Sequence, residues 1–259
     1  MDGNSMNIND TVISRLNEIE KEEGIQILFA CESGSRAWGF ASADSDFDIR
    51  FVFKRPLRGY MVLQDPPDTL EYPIKDNLDF SGWDIKQFLL HLYKSNGVMF
   101  EWLQSPVKYW DSRGFCATLS NVMNDYFNPR STINHYLGLT KRTLLDFGES
   151  EGVKLKKYFY VLRPLMAARW VHGRKCIPPM DFASLLSASE FTESVLSKIA
   201  DLQRLKAQCL ESQLIPRLTD LEAFVHSELD FIESHLPEKI PGRDISDLNA
   251  LFLHYIASA

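Results

Sequence analysis

Val12, Leu16 and Ile19 recur at helical spacing and predict an amphipathic helix over residues 10–22, with Asp10 or Thr11 as its cap. An apolar run follows at 25–31, and a second run at 46–53 alternates from Asp46. In that second run Phe47, Ile49, Phe51 and Phe53 fall on one face while Asp46 and Asp48 fall on the other, the period of a strand. Residues 56–75 break into short apolar pieces among prolines and turn signals, which predicts a strand pair with irregular links. A strand near 77–81 leads into a helix from Asp84 to Lys94 with Ile85, Phe88, Leu89 and Leu92 on its apolar face. A further helical turn at 100–103 ends at Ser105-Pro106.

Beyond Arg113 the periodicity is helical almost throughout. It predicts helices over 114–127, 130–147, 153–172, 181–187, 190–211, 217–235 and 244–256, separated by Pro- and Gly-containing breaks. Pro164 falls inside the 153–172 pattern and is expected to kink or break it. No internal repeat or low-complexity segment interrupts the chain. The expected fold class is α+β: an α/β-type domain with a mixed sheet over residues 1–112, then an all-α helical domain over 113–259. The active site is expected between them, where pockets often form.

The chemistry concentrates in residues 32–50. Gly34 and Ser35 follow the first strand, and Asp46 and Asp48 open the second. Glycine lets backbone approach a ligand closely, and Ser35 offers a hydroxyl and an N–H. If residues 35–39 begin a short helix, its first N–H groups point at an anion. Two carboxylates on one strand face repel each other unless a cation sits between them, and hard oxygen ligands suit Mg²⁺, with Mn²⁺ the alternative. A phosphate-cradling turn beside paired carboxylates points to metal-dependent chemistry on a nucleoside triphosphate.

This order of elements resembles the DNA polymerase β-like nucleotidyltransferase superfamily, in which Gly-Ser precedes Asp-x-Asp and a third acid lies on a later strand. The resemblance implies a nucleotidyltransferase domain. Asp79, set between apolar residues, is the expected third acid, and Asp84 is the alternative, read as the cap of the helix that follows. Residues 32–39, 78–90, 94–96, 101–106, 135–136 and 156–165 are similar to a branch of predicted nucleotidyltransferases found near RNA ligases in RNA repair. The likeness runs from about Ile25 to about Trp170, with a looser helical tail.

The resemblance implies that Asp46, Asp48 and Asp79 are catalytic and hold Mg²⁺. Gly34, Ser35 and Arg36 would then hold the triphosphate, although Arg36 has bracing the loop against Glu32 as its other role. Lys157 and Arg163, on a helix after the sheet, are the further candidates for phosphate, since Arg binds phosphate bidentately and Lys as a point charge. Trp38 is expected to pack beneath the loop, and Tyr158, Tyr160 and Trp170 to pack rather than stack on a base. RNA is the expected acceptor and an RNA ligase the expected partner. A protein or small-molecule acceptor, or a non-catalytic nucleotide-binding role beside a ligase, are the alternatives.

Composition narrows the setting. At 45% hydrophobic and 24% charged residues the 259-residue chain is ordinary for a globular enzyme. No apolar run is long enough to span a membrane, and the first residues lack the basic and apolar regions of a secretory signal. The four cysteines, at 31, 116, 176 and 209, have no metal-site spacing and are expected to be reduced thiols in a cytoplasm. His172 and Cys176, four apart, are expected to be structural. The net charge of −7 argues against tight non-specific nucleic-acid binding, which depends on Lys and Arg. Local basic stretches remain at 54–58 and at Lys154, Lys156 and Lys157. The second opens a helix, where the macrodipole does not favour cations, as if a triphosphate wanted them there.

Overall fold

The computed structural model describes residues 7–257 apart from 209, 211 and 242. Cys209, the first six residues and the far end of the helix expected over 190–211 therefore lie outside the described residues, in whole or in part.

The first helix, α1 (Ile8–Glu23), buries Val12, Leu16 and Ile19 as its spacing predicts. It begins earlier than expected because Asn7, not Asp10 or Thr11, accepts the N–H of Asn9 as the cap. Gly24, at φ 62°, turns the chain out of α1. Strand β1 (Gln26–Ser33) runs into a single helical turn, α2 (Gly34–Ala37), and β2 (Phe47–Lys54) returns antiparallel to β1. Asp46 is the residue before β2, not its first member.

The next segment forms β3 (Thr69–Glu71), β4 (Leu78–Asp84), α3 (Ile85–Tyr93), α4 (Gly97–Gln104) and β5 (Lys108–Asp111). The sheet order is β3-β4-β2-β1-β5, and it is mixed because β2 and β4 run parallel while the other neighbours are antiparallel. Ile49, Phe51 and Phe53 bury against α1 on one face. On the other face Phe29, Cys31 and Val52 meet Phe88, Leu92, Phe100 and Trp102 of α3 and α4. Gly82 makes room for Phe51 on the α1 face, since a Cβ there would lie 2.1 Å from the Phe51 ring.

The remainder comprises α5 (Phe115–Met123), α6 (Pro129–Leu145), β6 (Gly152–Lys154), α7 (Leu155–Arg174), α8 (Phe182–Ser187), α9 (Glu193–Gln208), β7 (Leu214–Pro216), α10 (Thr219–Ser234) and α11 (Ser246–Ala257). It is helical as expected, with the addition of a two-stranded β6–β7 sheet that the periodicity did not reveal. Pro164 neither breaks nor ends α7, which runs through it for 20 residues. Proline forfeits one backbone donor, and the burial of Leu162, Leu165, Met166 and Ala167 around it holds the helix together.

Packing crosses the division expected at residue 112. Phe115 and Leu119 of α5, and Leu248, Tyr255 and Ile256 of α11, join the core beside the sheet. Lys54 Nζ donates to the Tyr255 carbonyl at 2.8 Å. The bundle of α6, α7, α8, α9 and α10 has its own core, and Phe40 from the loop after α2 inserts into it.

Candidate active site

Parallel register sets Asp48 of β2 directly beside Asp79 of β4. Period-two alternation turns Asp48, Arg50 and Val52 to the face away from α1, and Asp79, Ser81 and Trp83 to the same side. Arg50 then fills the space between the acids. Its Nη2 donates to Asp48 Oδ1 at 2.9 Å and to Asp79 Oδ2 at 2.7 Å. Its Nη1 donates to the carbonyls of Asp79, at 3.0 Å, and Ile49, at 3.2 Å. The three side chains are 20%, 21% and 25% exposed for Arg50, Asp48 and Asp79, so they border solvent. Burial pushes the Asp48 carboxyl up to about 6, with Arg50 opposing and Asp79 and Glu32 adding to the rise.

The Gly34 turn lies against the same carboxylate. A Cβ at position 34 would sit 1.8 Å from Asp48 Oδ2, and Gly34 has φ +60°, so the position demands glycine on both counts. Ser35 is buried beside it. The helix expected from residue 35 is the single turn α2, which ends at Ala37. Arg36 braces the loop: its Nε and Nη2 donate to the carbonyls of Ser45 and Asp46, and its guanidinium stacks 3.8 Å from the Phe47 ring. These bonds brace the loop on the carbonyls of Ser45 and Asp46, where Glu32 was the expected brace, and they use Nε and Nη2 only. Lys206 of α9 reaches the same loop, with Nζ 3.3 Å from Ser42 Oγ.

Beneath the sheet end, Glu32 accepts the Asp48 backbone N–H on Oε1 at 2.8 Å and the Tyr109 hydroxyl on Oε2. Its carboxyl is raised, chiefly by burial. Ser105 Oγ donates to the Glu32 carbonyl at 2.6 Å. Glu32 thus fixes the backbone that carries Asp48.

Asp84 separates from this group. It caps α3, accepting Lys86 N–H at 2.8 Å and the Tyr60 hydroxyl at 2.9 Å. It lines a cavity of about 410 Å³ with Tyr60, Asp68 and Lys86, to which neither Asp48 nor Asp79 contributes.

Arg163 is a correction. It is 2% exposed, its Nε and Nη2 donate to the Met180 carbonyl, and its Nη1 donates to Glu101 Oε1 at 2.8 Å. Glu101 also accepts from Tyr136 Oη and Trp38 Nε1, and Trp38 stacks 4.4 Å from the guanidinium. With its donors spent inside the protein, Arg163 supports the Gly34 loop through Trp38 and presents nothing to a triphosphate. Lys157 donates to the Asp146 carbonyl after α6. Six residues from Arg163, it lies roughly 240° around α7, so the two expected cations do not converge. Tyr158 is buried on Glu222, Tyr160 packs edge-on against Trp38, and Trp170 lies under Arg174.

Arg50 and Lys206 were not singled out from sequence, while Glu32 entered only as a brace for Arg36 and Glu101 only within the similar stretch 101–106. Only Arg50 carried a local signal, as the third member of the Asp46, Asp48 face.

The oxygens of Asp46, Asp48 and Asp79 are the hard donors that Mg²⁺ or Mn²⁺ takes. Among the described residues no three His, Cys, Asp or Glu side chains gather closely enough to hold an ion. Carboxylate oxygens suit a divalent cation in kind, and in this structure the Arg50 guanidinium stands between Asp48 and Asp79.

A mixed sheet carrying Gly-Ser and paired strand acids defines the polymerase β-like nucleotidyltransferase class. The chain belongs to RlaP, the RNA repair pathway DNA polymerase beta family, which it matches over residues 8–254. It is 35% identical over 247 residues to the uncharacterized protein YcgL of Bacillus subtilis (strain 168), covering 95% of each chain. A crystal structure of a nucleotidyltransferase-like protein from Exiguobacterium sibiricum 255-15 aligns over 87% of this chain and 74% of that one, with 14% identity and a TM-score of 0.28. Among the described residues no helix is long and apolar enough to cross a membrane.

Proposed function

We propose that this protein is a metal-dependent nucleotidyltransferase. It transfers a nucleoside monophosphate from a nucleoside triphosphate to an acceptor hydroxyl, on RNA, with release of pyrophosphate. The observation that carries this is the opposition of Asp48 and Asp79 on parallel neighbouring strands, with the Gly34 backbone pressed against Asp48.

Asp46, Asp48 and Asp79 are the residues that would hold Mg²⁺ or Mn²⁺. Such an ion, when bound, neutralises charge on the triphosphate and on the attacking and leaving oxygens of an in-line displacement. Asp79 orients the acceptor hydroxyl and accepts its proton as the oxygen attacks the α-phosphorus. The Gly34–Ser35 backbone and the Ser35 hydroxyl hold the β- and γ-phosphates, and pyrophosphate leaves on that side. Arg36, Trp38 and Arg163 keep the loop in place for this, the first through carbonyls and the last two through packing.

The net charge of −7 favours a second reading, with a protein or small molecule as the acceptor. One experiment separates them. The protein is incubated with Mg²⁺, each α-labelled nucleoside triphosphate and, in turn, total RNA, the protein itself and a small-molecule extract. Label on RNA that falls steeply with added salt supports the RNA acceptor. Label on another acceptor, unaffected by salt, replaces it. Label that persists in an Asp46→Ala, Asp48→Ala double variant refutes the site.

A further inference from the structure

Two strand acids side by side need a cation between them, and this protein supplies one of its own. Arg50 Nη2 bonds both carboxylates while Nη1 is anchored on the carbonyls of Asp79 and Ile49. One guanidinium faces two carboxylates, so ionised Asp48 and Asp79 with Arg50 sum to about −1. Without Arg50 the pair would carry −2 and suit a divalent ion. Arg stays protonated at any working pH, so it does not yield the place by titration. A competitor must displace it.

We propose that Arg50 is a latch that occupies the metal position in the nucleotide-free protein, so that free metal binds weakly and entry of the metal moves the guanidinium off the carboxylates. The Gly34 turn lies against the same Asp48 carboxylate that Arg50 bonds, so a triphosphate held there offers the released guanidinium new acceptors. Metal and nucleotide binding are thereby coupled through one side chain, and such coupling is reciprocal. The geometry suits exchange. Arg50 and its partners are each about one-fifth to one-quarter exposed, so water and a hydrated ion reach them. The buried Arg163–Glu101 pair, 2% and 6% exposed, has no such access.

The latch rests on the metal-dependent reading above, and a titration with Mn²⁺ alone separates the two. Binding is followed by the loss of the free-ion electron paramagnetic resonance signal at pH 8, without nucleotide. Proteins compared are wild type, Arg50→Met, Arg50→Lys and Asp48→Asn. The latch predicts that Arg50→Met binds Mn²⁺ at least about tenfold more tightly than wild type, one charge at close range being worth that much in a partly buried site. Arg50→Lys, a point charge without the planar fork, falls between. Mn²⁺ should also raise the melting temperature of Arg50→Met more than that of wild type, a response that loss of packing alone does not produce. Equal or weaker binding by both Arg50 variants, still abolished by Asp48→Asn, overturns the latch and leaves the metal site standing. Absence of binding in every protein overturns both. Should Arg50→Met fail to fold, Arg50→Lys takes its place: tighter Mn²⁺ binding than wild type supports the latch, and equal or weaker binding overturns it.

Discussion

Two arginines in this molecule each sit among carboxylates and carbonyls, and their surroundings part them. Arg163 has one acid, Glu101, and that acid is further satisfied by Tyr136 and Trp38, with water excluded. Arg50 has two acids, shares one nitrogen between them, and borders solvent. A closed network with balanced charge serves as scaffold, because removing any member strands a buried group. An open network with surplus negative charge serves as a site, because something more positive can improve on what is there. The difference lies in charge count and access, not in residue type.

The largest effect expected from this contrast is on stability. Arg163→Met should cost about 3–5 kcal/mol, since it leaves Glu101 buried without its cation. Arg50→Met should cost about 1 kcal/mol, as for partly exposed pairs. Denaturant unfolding of both variants in chelator measures the contrast, and equal losses would erase it. Next is Gly34→Ala, whose Cβ has no room beside Asp48. It should lower kcat/KM for transfer at least about 100-fold by moving the carboxylate on the order of 1 Å, while Gly39→Ala, with open space around its Cβ, should spare the site more.

A pH dependence follows from Asp48, whose carboxyl rises from 3.8 to about 6, chiefly through burial. The folded protein holds that proton more tightly than the unfolded chain does. Its stabilising contribution is therefore complete below about pH 4, falls as pH rises, and is gone above about pH 6. After allowance for solvent screening the change is on the order of 1–2 kcal/mol. It is read as wild type minus Asp48→Asn, by unfolding in chelator between pH 4 and 7. Mn²⁺ affinity should move the opposite way, increasing through the same window as the carboxylate ionises. A flat difference would show that the Asp48 carboxyl is not raised by its surroundings in the folded protein. The smallest effect is at Asp84. Asp84→Ala should cost about 1 kcal/mol as a lost helix cap with little change in transfer. Loss of transfer with stability intact would exchange its role with that of Asp79.

The parts legible in the sequence were those set by local periodicity. The alternation at 46–53 placed Phe51 and Phe53 against α1 and Asp48 on the opposite face, and the spacing in α1 gave its buried residues. The capping role of Asp84 was also legible locally, because it precedes a helical stripe. What stayed hidden depends on distant partners. Arg163 looked like a phosphate ligand because its acid, Glu101, is 62 residues away. Strand β5 is four residues long and exists only through pairing with β1. The short β6 and β7 strands likewise exist by pairing with each other. The return of α11 to the sheet core rests on Leu248, Tyr255 and Ile256 meeting residues more than a hundred positions earlier, such as Phe115 and Phe88. Arg50 was the exception: its position on the acid face was in plain view, and the requirement for a cation between the acids pointed outward to a metal instead of two residues along the strand.

The central claim is that Asp48 and Asp79 form a metal-dependent nucleotidyl-transfer site. Its most direct test is release of pyrophosphate from nucleoside triphosphate in the presence of RNA and Mg²⁺, measured for wild type, Asp48→Ala and Asp79→Asn, with folding checked by circular dichroism. Pyrophosphate formed by wild type, lost with chelator and lost in both folded variants, is the predicted result. Undiminished release by either folded variant would contradict it.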